Sequence, residues 1–197
     1  MSDTLYERSN SADDSNASIG GSTAWEGQTF TPSIQHTVTS VKLFLYRDDG
    51  VLPGTVTVSI RNTSAGLPTG ADLVSGTFNG DTATTSGAGN WEEFTFTGST
   101  TQLAASTTYA IAIRVSAATA QIKSKATNPG QYTGGTAVSS GDSGGTWTVY
   151  GNGFDYQFEE YGYPVPGEGQ GLIAVVGETF HYVSKTGIEY VVQGTPL

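Results

Sequence analysis

The segment TTYAIAIRVSA, residues 107–117, decides the fold class. Tyr109, Ile111, Ile113 and Val115 fall on every second position, the period of a β-strand with one face in a core. Working outward, HTVTSVKLFLYR (36–47) repeats the pattern. It sets Val41, Leu43 and Leu45 on one face and Lys42, Phe44 and Tyr46 on a second, partly aromatic face. GTVTVSIRN (54–62) turns Val56, Val58 and Ile60 inward. Shorter strands are predicted in DLVSGTFNG (72–80), NWEEFTFTG (90–98) and AQIKSKAT (120–127), and two more in 146–163. Asp48–Gly50 is a turn signal. No segment carries helical spacing over ten or more residues. Many short strands punctuated by turns predict an all-β, antiparallel, jelly-roll-like sandwich. Its core is expected to hold Val41, Leu43, Val56, Val58, Ile60, Ile111, Ile113 and Val115.

Between two of these strands lies SIRNTSAGLPTGADLVSGT (59–77), with Gly66, Pro68 and Gly70. Proline fixes φ and glycine reaches positive φ. The expectation is a crossover that takes the chain from one sheet to the other.

The ends differ in composition. Residues 1–24 are polar and acidic without periodicity, and read as an N-terminal arm. Residues 25–162 hold the sandwich. Residues 163–171, YPVPGEGQG, read as a linker. Residues 172–197 carry three apolar runs, 172–176, 179–183 and 188–192, with SKTG as a hairpin turn. Some 26 residues cannot bury a core alone, so this C-terminal β-appendage must pack on the main domain, on a partner or on copies of itself, and is expected to serve assembly or docking.

Charge narrows the partners. The 197 residues carry 8 Lys plus Arg against 18 Asp plus Glu, a formal net charge of -10. Such a surface repels phosphate backbones and anionic lipid, which argues against nucleic acid and membrane partners. No apolar run reaches membrane-spanning length. There is no cysteine, and residues 1–21 lack the basic start and apolar stretch of a secretory signal. Synthesis and folding in a cytoplasm are expected.

Catalytic motifs are scarce. GDSGG (141–145) matches the nucleophile signature of chymotrypsin-like proteases, with Ser143 in the serine position. His36 is the upstream histidine, but its surroundings do not match that family, and a Gly/Ser-rich hairpin loop is the simpler account. Glu92–Glu93 and Glu159–Glu160 are strand neighbours that point to opposite faces. No catalytic residue and no cofactor are predicted. Asp48, Asp49, Asp81, Asp142 and Asp155 leave room for a structural calcium, though without EF-hand spacing. Trp25, Trp91, Trp147, Tyr132, Tyr150 and Tyr156 are the candidate stacking surfaces for a glycan. Trp147 and Tyr132, which flank the Gly/Ser-rich loop, are the first choices for ligand binding.

The order of GTVTVSIRNTSAGLPTGADLVSGT, WEEFTFTGSTTQLAASTTYAIAIRVS, YTGGTAVSSGDSGGTWTV and FDYQFEEYG resembles the β-sandwich module of choice-of-anchor R-type proteins and of tailed-phage structural proteins. The likeness runs from Trp25 to Gly162 and rests on L-P-T-G-x-x-L and F-x-x-Y-G. It implies a fold close to carbohydrate-binding modules and no catalysis. The expectation is a virion structural protein: a capsid-decoration, head-fibre or tail-associated subunit. It would contact other virion proteins and copies of itself, as a trimer, and a host-surface glycan. The alternative is a carbohydrate-binding or adhesive module on a prokaryotic cell surface.

Overall fold

A computed structural model describes residues 3–11, 14–21, 23–150, 153–165, 171–176, 179–183 and 189–193. The chain divides into two compact units, Met1–Tyr163 and Pro164–Leu197. Among the described residues there is no α-helix, only the 3₁₀ turn Gly80–Thr82. Among the described residues no helix is long and apolar enough to cross a membrane.

The first unit is an all-β antiparallel sandwich. Its strands are β1 (Thr4–Ser9), β2 (Ser15–Gly20), β3 (Trp25–Phe30), β4 (His36–Tyr46), β5 (Thr55–Ser64), β6 (Leu67–Asn79), β7 (Asn90–Thr95), β8 (Gln102–Leu103), β9 (Tyr109–Val115), β10 (Gln121–Thr127), β11 (Ala137–Ser140), β12 (Thr148–Val149), β13 (Asp155–Tyr156) and β14 (Phe158–Pro164). One sheet runs β1-β14-β4-β10-β13, with β2 on β10 and β7 and β8 on β4. The other runs β12-β11-β3-β9-β5-β6.

The core lies between the sheets, filled by the inward positions of alternating strands. Val41, Leu43, Val56, Val58, Ile60, Ile111 and Ile113 are sealed from solvent, and Val115 nearly so. The alternation in the sequence therefore assigned the correct face. Strand β9 is buried on both sides, because Trp147 and Val138 pack outside it on Ala112. That second layer explains why its outward positions 110 and 112 hold alanine.

Two expectations are corrected. The segment 59–77 is no crossover. It is a hairpin within one sheet, in which Ser64 pairs with Leu67 around Ala65 (φ 50°) and Gly66 (φ 79°). Two successive positive φ angles make the mirror-image turn whose twist matches that of paired strands. Pro68 lies in β6, the edge strand, where a missing N–H breaks no central ladder.

Residues 1–24 are not an arm. Strand β1 pairs with β14, and β2 pairs with β10 from Gln121↔Gly20 to Ala126↔Ser15. Ile19 is fully buried and Ala17 packs against the core. An edge strand needs apolar residues at few positions, so its polar outer face hid it in the composition.

The second unit is a three-stranded antiparallel sheet of β15 (Gly171–Val176), β16 (Thr179–Val183) and β17 (Glu189–Gln193). These strands fall where the apolar runs predict them. Most of the predicted linker, and the SKTG turn, lie outside the described residues.

Candidate functional site: the outer face of the larger sheet

Strands β4 and β7 pair in the register Phe44↔Trp91, Lys42↔Glu93 and Ser40↔Thr95. Inward positions such as Val41 and Phe94 enter the core, so Trp91, Glu93, Lys42 and Phe44 face outward. The Trp91 and Phe44 rings stack, with centroids 5.0 Å apart and planes 15° from parallel. Both are half-buried. Next along the strands, Lys42 Nζ sits 4.8 Å above the centre of the Tyr161 ring, which comes from β14. The Tyr161 hydroxyl donates to Glu159 at 2.6 Å. That hydrogen bond, with some burial, pushes the phenol up to about 12, so it remains a hydroxyl. Lys123 and Lys125 flank the Tyr46 ring at 5.9 and 5.5 Å. Three of the four lysines in the chain thus stand on this face.

The face leads into an open cleft of about 590 Å³. Thr95, two positions beyond Glu93, and Tyr163, two beyond Tyr161, both line it. Its other walls are Asp3, Thr39, Phe96 and the turn 97–100. Thr39 Oγ1 donates to the Tyr161 carbonyl and the Phe96 N–H donates to the Thr39 carbonyl, which ties the three strands together there. From Trp91 to Thr95 the strand rises about 13 Å. The result is an aromatic platform, a charged middle and a hydroxyl-lined end. Such a surface can stack on the apolar face of a sugar ring and exchange hydrogen bonds with its hydroxyls.

The other aromatic candidates are engaged elsewhere. Trp147 is 7 % exposed, packed on Val138 and Ala112, and its Nε1 donates to the Gly144 carbonyl at 3.2 Å. It is a buried anchor of the six-stranded sheet rather than the open platform the sequence predicts. Trp25 meets it edge-on at 6.5 Å and lies beneath the guanidinium groups of Arg61 and Arg114, at 5.0 and 4.7 Å. Both arginines share Asp72, at 2.7 Å each. The Tyr132 ring meets Phe158 edge-on at 5.2 Å and its hydroxyl donates to Glu7. Tyr132 does border a smaller cleft of about 230 Å³. The structure does not bring Trp147 and Tyr132 together as one platform: they belong to separate hydrophobic clusters. Tyr150 and Tyr156 donate to the buried Glu26.

GDSGG forms the turn between β11 and β12. Asp142 accepts from Ser140 Oγ and from Thr146 N and Oγ1. Those bonds pull its carboxyl down to about 2. The Ser143 N–H donates to the Thr23 carbonyl. His36 belongs to the other sheet. Its Nδ1 donates to the Ile34 carbonyl at 2.8 Å, and its Nε2 lies 2.7 Å from Glu160, with Tyr6 stacked on the ring at 3.7 Å. The nitrogen that a catalytic serine needs is therefore held by Glu160. Among the described residues no group of three or more His, Asp or Glu side chains could hold a metal ion.

Sequence reasoning named Trp91 but passed over Phe44, Lys42, Tyr161 and Tyr163. The aromatic second face of VKLFLY was the available signal. Its partners come from strands about 45 and 115 residues away, which no local pattern joins. No protein-family model and no curated protein matches the chain.

Proposed function

We propose that this chain is a non-catalytic display protein whose larger sheet binds a glycan along the Trp91–Phe44 platform and the adjoining cleft. The observation that carries the reading is the register that places Trp91, Glu93 and Thr95 in line from platform to cleft, with Tyr161 and Tyr163 beside them. We place this module on a tailed-phage virion, as a capsid-decoration, head-fibre or tail-associated subunit. The sequence resemblance, the absence of cysteine and the separate three-stranded unit support that placement. Contacts with other virion proteins and with copies of the same chain belong to the same proposal. The groove equally serves an adhesive module on a prokaryotic cell surface, the second reading. The two differ in where the protein resides, which immunogold labelling of purified particles and of cells separates.

The test of the site is a glycan array probed with wild type and with Trp91→Ala. Wild type is expected to retain a defined set of glycans, and the variant to bind them about tenfold more weakly. A thermal melt confirms that the variant is folded. A wild type that retains no glycan, or an equally competent folded variant, removes the assignment.

A further inference from the structure

His36 and Glu160 form a buried pair that takes no part in the groove. Both side chains are sealed from solvent, with Nε2 2.7 Å from Oε1. Nδ1 donates to the Ile34 carbonyl at 2.8 Å, so its hydrogen is committed. A second hydrogen must lie between Nε2 and Oε1, because two bare lone pairs repel at that separation. It belongs either to an imidazolium facing a carboxylate or to a carboxylic acid facing a neutral imidazole. In both forms the pair holds one titratable proton. Glu160 Oε2 is buried without a hydrogen-bond partner. Gly162 lets β14 press close here: a Cβ at that position would collide with the Thr37 carbonyl and the His36 ring.

Strand β1 covers the pair. Tyr6 stacks on the imidazole, with centroids 3.7 Å apart and planes 9° from parallel. Glu7 stands opposite Glu160 in the β1–β14 register. It accepts from the Ser33 N–H at 2.9 Å and from the Tyr132 hydroxyl at 3.0 Å. The ionisable groups around the pair are thus Tyr6 and Glu7 from β1 and Tyr132 from the segment between β10 and β11; none is a cation. Burial, then Glu7, raises the Tyr132 phenol, so it remains a hydroxyl. Burial opposes charge on His36, but the hydrogen bond and charge of Glu160 outweigh it and raise the imidazole above its ordinary 6.5. Burial raises Glu160 as well, against the hydrogen bond from His36. Both directions mean that the closed structure holds the proton more tightly than the open one, a preference lost as pH rises.

We propose that the proton shared by His36 and Glu160 latches β1 onto β14, and that its loss on raising the pH releases the N-terminal strand. Without it, the Glu160 and Glu7 carboxylates oppose each other in the β1–β14 register with no cation between them. Nε2 and Oε1 are also left with lone pairs in contact. Parting β1 from β14 relieves both, because it takes away Glu7 and Tyr6 and lets water reach Glu160. Asp3, which precedes β1, lines the cleft of about 590 Å³, so release removes one of its walls. The latch itself does not depend on what the cleft binds.

The test is amide hydrogen exchange of the full-length protein from about pH 5.5 to 8.5, corrected for the intrinsic pH dependence of exchange. Protection of β1 is expected to fall by up to about tenfold per pH unit above 6.5, and to level off once His36 has lost its proton. The ¹⁵N shifts of the His36 ring report that titration in the same sample, with a midpoint above 6.5. Strand β9, in the other sheet, is expected to lose much less protection, which separates the latch from a general loss of stability. Glu160→Gln sets an amide N–H against Nε2 at every pH and is expected to make β1 protection independent of pH. Four results overturn the proposal: constant β1 protection, an equal loss in β9, a β1 loss that does not follow the His36 titration, or a folded Glu160→Gln variant with the wild-type profile. The first three need no variant, so they decide the matter if Glu160→Gln does not fold.

Discussion

Glu26 is where residue-scale chemistry is sharpest. It is 7 % exposed and receives the hydroxyls of Tyr156 at 3.1 Å and Tyr150 at 3.4 Å. Its cross-strand neighbours are Ile113 and Ser139, neither of which offers a positive charge. Burial pushes its carboxyl from 4.5 up to about 7, against the smaller opposing effect of the two hydrogen bonds. The folded state therefore holds this proton more tightly than the unfolded chain. That contribution is complete below pH 4.5 and is lost as pH rises through about 7. A gap of this size corresponds to about 3 kcal/mol. Glu26→Gln keeps the shape and the acceptor without the charge. The variant is expected to match wild type at pH 4 and to be up to about 3 kcal/mol more stable at pH 8, measured by urea unfolding. An equal change at both pH values would show that Glu26 ionises as freely as an exposed carboxylate. Asp155 and Glu160, also raised chiefly by burial, act in the same direction.

At the scale of elements, the N-terminal strands separate an arm from a structural edge. β1 and β2 cover the edges of β14 and β10, and β2 adds Ile19 to the core. β1 also contributes Tyr6, stacked on His36 above the buried His36–Glu160 pair. Deleting residues 1–20 uncovers both edges and empties the Ile19 site. Losing one buried isoleucine side chain alone costs about 2–5 kcal/mol. The deletion is expected to lower the melting temperature sharply or to abolish cooperative unfolding, and to promote aggregation through the open edges. A true arm would leave the melt unchanged. β6 shows how local punctuation can mislead: Pro68 and Gly70 suggest a break, yet the edge position lets a 13-residue strand run through them.

For the whole molecule, the division after Tyr163 is the feature on which the proposed assembly rests. The first unit has its own core. The second is three strands in a span too short to bury one. With residues 1–24 assigned to the sandwich, the proposed assembly contacts rest on the second unit alone. A chain ending at Val165 is expected to remain folded, to keep the proposed glycan binding and to sediment as a monomer. The full chain is expected to form a homo-oligomer, a trimer in the virion reading. Analytical ultracentrifugation of both decides it. A full chain that sediments as a monomer at every concentration removes the assembly role.

The sequence by itself determined the strand content, the inward faces of 41–45, 56–60 and 109–115, and the position of the three C-terminal strands. All of these follow from a two-residue period that is local to each segment. It also located Trp91 and the partly aromatic face of 42–46. Only the tertiary structure decided that β1 and β2 are edges, that 59–77 is a hairpin, that Trp147 is buried and that Phe44 meets Trp91 beside Tyr161. Each of these depends on which strand lies next to which, and so on register between distant segments. Burial of an aromatic ring is likewise set by what covers it. Trp147 packs with Ala112, Val138 and Trp25, while β7 places Trp91 beside Phe44 and leaves both half-open to solvent.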